Sequence, residues 1–152
     1  WGSKYNDKGV LCDWWTPKDK KIFQRMQNEV TSQYTKFSER DGIMYDASIG
    51  IGENMADISS MAICDEYLRD FQEKNMLPSI RALSYEAFYT YYAFQMKQKL
   101  SANALSAQLK TNPHALDKYR TNIPLSRSQI FRALFNIKKQ DEMWWNNTNT
   151  IW

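Results

Sequence analysis

The chain holds one histidine, two cysteines, five glycines and four prolines in 152 residues. A single histidine excludes any metal centre that draws two imidazoles from this chain. Cys12 and Cys64 are too few for a disulfide framework, and no CxxC pair exists, so a thiolate zinc site is excluded too. Two free, buried thiols and a reducing compartment are expected. No apolar run reaches the roughly 18 residues a membrane-spanning helix needs, so no membrane contact is expected. The opening WGSKYNDKG is polar and turn-like, unlike a charged-then-apolar leader. Charge of one sign is also lacking: 20 basic residues face 17 acidic ones, for a net +3. The densest basic cluster, Lys18 to Lys21, is broken by Asp19, and without a basic stripe no nucleic-acid partner is expected.

What is present fits one domain over residues 1–152 with a true core. Hydrophobic residues make up 43% and charged residues 24%, ordinary for a globular protein. Six Trp and nine Tyr require either a bulky core or an interface.

The periodicity reads as mainly α. Leu11, Trp14 and Trp15 are expected to anchor an N-terminal loop or short hairpin containing the turn Asn6-Asp7-Lys8-Gly9. Thr16-Pro17-Lys18-Asp19 is a helix start, and Ile22, Met26, Val30, Tyr34 and Phe37 recur at helical spacing over residues 17–36. A second long helix is predicted from about Gly52 to Glu73, burying Met55, Ile58, Met61, Ala62, Leu68 and Phe71. Asn75-Met-Leu-Pro78 should end it in a loop, with Ser84 capping a third helix. A short helix from Ser101 to about Lys110 follows. Pro113 and Pro124 argue against regular structure in TNPHALDKYRTNIPLS. Ser126 is expected to open a last helix through Phe131 and Phe135, before an aromatic, turn-rich tail.

Glu53 and Asp57 stand four residues apart on one face of the second helix. On an exposed helix such a pair repels by a few tenths of a kcal/mol and reads as a solvated face; a metal site is the alternative. His114 reads either as a surface histidine or as a functional one, and Arg120 by default as a surface arginine.

The order of these features resembles the neprilysin-like family of zinc metallopeptidases. GSKYNDKGVLCDWWT (residues 2–16) is similar to the family's loop running from its HExxH helix into a Trp-Trp-Thr helix start. Ile49-Gly-Ile-Gly-Glu-Asn-Met-Ala-Asp57 matches GENxAD, Pro113-His114 with Arg120 matches the His-x5-Arg spacing, and Ile151-Trp152 is similar to the family's closing aliphatic-Trp. The resemblance implies the C-terminal part of a zincin-type (gluzincin) catalytic domain. Glu53 would then be the third zinc ligand, beside two histidines of HExxH. Asp57 would take the N–H of a ligand histidine, His114 would hydrogen-bond the oxyanion of the tetrahedral intermediate, and Arg120 would bind a substrate backbone carbonyl.

The departures are as informative. HExxH is absent, and with it the glutamate between the histidines. The resemblance therefore implies a partner, an N-terminal segment or separate chain carrying the HExxH helix, with zinc and a peptide substrate only in the completed protein. The alternative is a non-catalytic structural or interaction subunit descended from such a peptidase. Glu29, Gln98, Ile137 and Asn149 stand where extracellular relatives carry cysteines, in keeping with a reducing compartment. Ile58-Ser59-Ser60 replaces the family's Asn-Gly-Gly after Asp57, so helix packing there should differ.

Overall fold

Thr16 is extended, and its hydroxyl accepts the Asp19 amide; Pro17 then occupies the first helical position, where its missing N–H is no loss. The helix so begun, α1, runs Pro17–Arg40. A computed structural model of the chain describes residues 2–75 and 78–148, and among these the side chains outside 75–84. Trp1, Met76, Leu77, Asn149 and the closing Ile151-Trp152 lie outside the described residues.

Among the described residues five further helices follow: α2 (Ile51–Asn75), α3 (Pro78–Gln95), α4 (Ala102–Thr111), α5 (Asp117–Arg127) and α6 (Gln129–Leu134). Among the described residues the only strand-like pairing is one antiparallel bridge, Tyr5 to Leu11, around the Asn6–Gly9 turn. α2 packs against both α1 and α5, while α3 and α6 close the other side. The core has two lobes. Val30, Tyr34 and Phe37 of α1 meet Met55 and Ile58 of α2 and Tyr119 and Ile123 of α5. Further along α2, Met61 meets Tyr85 and Tyr89 of α3 and Leu125 of α5.

Several expectations need correction. α3 begins at Pro78, so Ser84 lies inside it rather than capping it. Ser126 likewise lies inside α5; the last helix is capped by Ser128, whose hydroxyl accepts the Phe131 amide. Cys12 is exposed and Cys64 half-buried, so neither is a buried thiol. Leu11 is largely exposed; Trp15 anchors the N-terminal loop by packing on Phe23 with ring centroids 4.9 Å apart, and the half-exposed Trp14 closes it by donating from Nε1 to the Gly2 carbonyl at 3.0 Å. Phe71, expected inside, is 48% exposed.

The largest correction is α5, which is helical through Pro124. A proline there cannot donate to the carbonyl four residues back, that of Arg120. The Tyr92 hydroxyl of α3 donates to that carbonyl instead, at 2.8 Å. Burial pushes the Tyr92 hydroxyl up to about 12, with the Asp57 charge acting in the same direction, so it remains a donor across the neutral range. This cross-helix bond supplies what the proline removes and ties α3 to the backbone of Arg120. Tyr92→Phe should therefore cost about 1–2 kcal/mol, because a sheltered carbonyl loses its partner. In a Pro124→Ala background, where an N–H is restored, the same change should cost much less. Denaturant unfolding of the four-member cycle measures the coupling, and purely additive effects would contradict the account.

A second tie acts on the same first turn of α5. Asp41, just after α1, accepts from Lys118 Nζ at 2.7 Å and from the Tyr119 hydroxyl at 3.0 Å. Burial alone would raise its pKa, but these two bonds outweigh it and hold Asp41 below the ordinary carboxylate value. The first turn of α5 is thus held from two sides, which fixes where Arg120 stands, with His114 three residues ahead of the helix.

Candidate functional site

Glu53 is the third residue of α2, where a carboxylate meets the positive end of the helix dipole. It is half exposed and makes no hydrogen bond among the described residues. Asp57, one turn on, lies at the boundary of the core with only 14% of its side chain exposed. The turn Asn112–His114 and helix α5 bring the other two candidates across from them. The His114 amide is held by the Asn112 side chain at 2.9 Å, and α5 starts three residues later.

The four residues meet as two facing pairs. His114 Nδ1 lies 3.5 Å from Glu53 Oε2. That nitrogen is shielded from solvent and meets no hydrogen-bond geometry, so the contact is an electrostatic approach and not a hydrogen bond. The exposed part of the His114 ring is its other edge. Deeper in, Arg120 Nε and Nη2 donate to the two oxygens of Asp57 at 2.8 and 3.0 Å, a bidentate fork. The Asp57 hydrogen bonds raise the Arg120 pKa further, so its charge is permanent. The third guanidinium nitrogen, Nη1, makes no hydrogen bond among the described residues.

This pairing explains why two carboxylates share one stripe of α2. The few tenths of a kcal/mol of repulsion between them are small beside a charge-assisted bond, at about 1.5–3 kcal/mol. Each carboxylate also faces its own cationic or potentially cationic partner. The sequence had marked all four residues; it carried no sign that Asp57 and Arg120 bind each other. It also gave no sign of the bond from the Tyr92 hydroxyl to the Arg120 carbonyl.

Zinc, the metal that the resemblance implies, does not fit this donor set alone. Among the described residues no group of three His, Cys, Asp or Glu side chains is placed to hold a metal ion. Glu53 offers one open carboxylate, and Asp57 is committed to Arg120.

The two remaining departures are structural. Ser59 and Ser60 turn their hydroxyls back onto the Met55 and Asp57 carbonyls of α2, at 2.8 and 2.9 Å, so the helix absorbs them without glycine. Glu29 accepts from Trp145 Nε1 at 2.7 Å and from Arg127 Nη2 at 2.5 Å, and so joins α1 to α5 and the C-terminal tail.

Comparison with known proteins bears on the family. The chain is 27% identical to a neutral endopeptidase of Lactobacillus helveticus over 158 aligned positions, covering 99% of this chain and 22% of that protein. It is 23% identical to human endothelin-converting enzyme-like 1, over 94% of this chain and 19% of the relative. An endothelin-converting enzyme homolog of Locusta migratoria is 25% identical over 88% of this chain and 19% of its own length. The chain thus spans about a fifth of the length of these relatives. No solved structure matches it significantly. The family model for peptidase family M13 matches residues 1–151. The chain therefore belongs to peptidase family M13, a family of zinc metallopeptidases.

Proposed function

We propose that this chain forms one wall of a peptide-hydrolysing cleft, completed by a preceding segment that carries HExxH. The observation that carries the reading is the meeting of Glu53, Asp57, His114 and Arg120 from segments some sixty residues apart, in two facing pairs. Zinc would be held by Glu53 together with two histidines of the other segment, and it would supply Lewis-acid chemistry. This chain's own residues would do the rest. The open edge of the His114 ring would donate toward the oxyanion of a substrate carbonyl, while its shielded Nδ1 edge stays against Glu53. Arg120 keeps Nη1 for a substrate backbone carbonyl while Asp57 fixes its plane. A carboxylate has about four lone-pair positions, so Asp57 can also accept an N–H from a ligand histidine. In the protein extended through HExxH, Glu53→Gln should abolish peptide hydrolysis, and retained activity would sink the reading.

The surface of α2 supports the proposed partner. Phe71 lies eighteen residues beyond Glu53, about five helical turns and so nearly in line with it. Ile63, Tyr67 and Phe71 recur every four residues, so they form a ridge of their own that meets this line at Phe71, and the Tyr67 and Phe71 rings stack with centroids 6.4 Å apart. These three side chains are 65%, 66% and 48% exposed. An exposed apolar ridge of about two turns on α2 suits a packed segment better than water. The isolated 152-residue chain should self-associate. Replacing Ile63, Tyr67 and Phe71 with polar residues should return a helical monomer, as read by light scattering and circular dichroism. A monodisperse, cooperatively unfolding monomer of the unaltered chain would contradict the proposed partner.

One observation favours a second reading, a non-catalytic descendant acting as a structural subunit. The Asp57–Arg120 fork is closed in the chain alone, and a relic that needs only the helix packing would keep it. The Glu53→Gln and His114→Phe results separate the two.

A further inference from the structure

α2 starts without a side-chain cap. The Gly50 carbonyl accepts the Asn54 amide at 2.9 Å, which makes Gly50 the N-cap residue. Serine, threonine, aspartate or asparagine would normally be preferred there, since their side chains satisfy an orphan amide. Gly50 is buried, and a Cβ on it would overlap the Pro113 carbonyl oxygen and lie 3.0 Å from the Tyr45 hydroxyl and 3.4 Å from the Pro113 carbonyl carbon. The main obstacle is backbone, so no rotamer change relieves it. Gly52, in the first turn of the same helix, would meet nothing within 4 Å on gaining a Cβ. The φ of Gly50 is not in the left-handed region, so the constraint is space and not backbone strain.

Pro113 is the residue before His114, and the Asn112 side chain holds the His114 amide, so residues 112–114 move together. We propose that Gly50 is a positioning residue: its missing side chain lets the Pro113 carbonyl rest on the start of α2, and that contact sets the His114 ring against Glu53. A methyl group at position 50 would lift the 112–114 turn away from α2 and lengthen the 3.5 Å approach between His114 Nδ1 and Glu53 Oε2. Glycine is itself an accepted N-cap residue, so at position 50 it serves both the start of α2 and the close approach of a loop some sixty residues away. The catalytic meaning of this contact rests on the assignment of His114 and Glu53 to one cleft; the contact itself does not.

His114 is the only histidine, so its imidazole C–H resonances identify themselves. The test is NMR on the chain carrying the polar stripe substitutions above, after light scattering shows it monomeric and circular dichroism shows it helical. Gly50→Ala should shift the His114 resonances and remove nuclear Overhauser contacts between its ring and the first turn of α2. Gly52→Ala should leave both unchanged and serves as the control for adding a methyl group to that turn. The protein with both glycines intact should show contacts from the Gly50 Hα protons to the His114 amide. An unaltered His114 spectrum in folded Gly50→Ala would overturn the proposal. If Gly50→Ala does not fold, the contact between Gly50 and His114 decides alone, and its absence overturns the proposal. The readout is position and not activity, so failure here leaves the function to be judged by Glu53→Gln and His114→Phe.

Discussion

His114→Phe, made in the protein extended through HExxH, should lower kcat by about 10²–10³ and leave KM nearly unchanged, the effect of losing one oxyanion donor. The phenyl ring keeps the packing of the imidazole, while the 38% exposure of His114 leaves room for it without a clash. What disappears is the hydrogen-bond donor on the open side of the ring. A donor aimed at developing charge acts in the transition state more than in the ground state, so the loss falls on kcat. Arg120 would respond differently, because its guanidinium both faces the cleft and satisfies Asp57. Steady-state kinetics on a peptide substrate give the answer for His114; activity unchanged by the substitution would remove it from the site and favour the scaffold reading.

Arg127→Met should give the largest loss of stability, about 3 kcal/mol, since it breaks a buried charge pair by removing one partner. For a domain of this size that corresponds to a fall in Tm of roughly 6–12 °C. Arg127 has only 3% of its side chain exposed. Its Nε donates to Gln33 Oε1 at 2.6 Å and its Nη2 to Glu29 at 2.5 Å, while Gln33, itself fully buried, donates to Ser126 at 2.8 Å. Methionine fills a similar volume but leaves the Gln33 carbonyl without that donor. Glu29 is 28% exposed and keeps Trp145, so it recovers part of its solvation, which holds the cost near the lower end of the usual 3–5 kcal/mol range. The Lys74–Asp70 pair at 2.6 Å is the contrast: both side chains are more than half exposed, so Lys74→Met should leave Tm unchanged. Thermal unfolding of the two variants side by side checks this, and equal shifts would contradict it.

Local signals in the sequence located the elements that carry the site. The cap at Thr16-Pro17 and the apolar repeat through Val30, Tyr34 and Phe37 are properties of neighbouring residues, and they were legible. The same holds for Ser101, whose hydroxyl accepts the Ala104 amide at the start of α4. Glu53 and Asp57 share a face by helix geometry alone. What failed depended on residues far apart in the chain. Pro124 signalled a break because the donor that replaces its amide is Tyr92, on another helix. Phe71 has the spacing of a core residue, but apolar residues surround α2 on more than one side, and spacing cannot say which stripe is covered. The Asp57–Arg120 fork joins residues 63 apart, and no local pattern marks it. Gly50 was hidden for the same reason: its role depends on Pro113.

The central claim is that Glu53 is one ligand of a metal centre which this chain cannot complete. Zinc titration by calorimetry, on the 152-residue chain and on the protein extended through HExxH, tests it most directly. The chain alone should bind no zinc at submicromolar affinity. The extended protein should bind one equivalent tightly, and Glu53→Gln in that protein should weaken binding severely. Tight stoichiometric zinc on the chain alone, or an extended Glu53→Gln protein that binds zinc as well as its parent, would contradict the account.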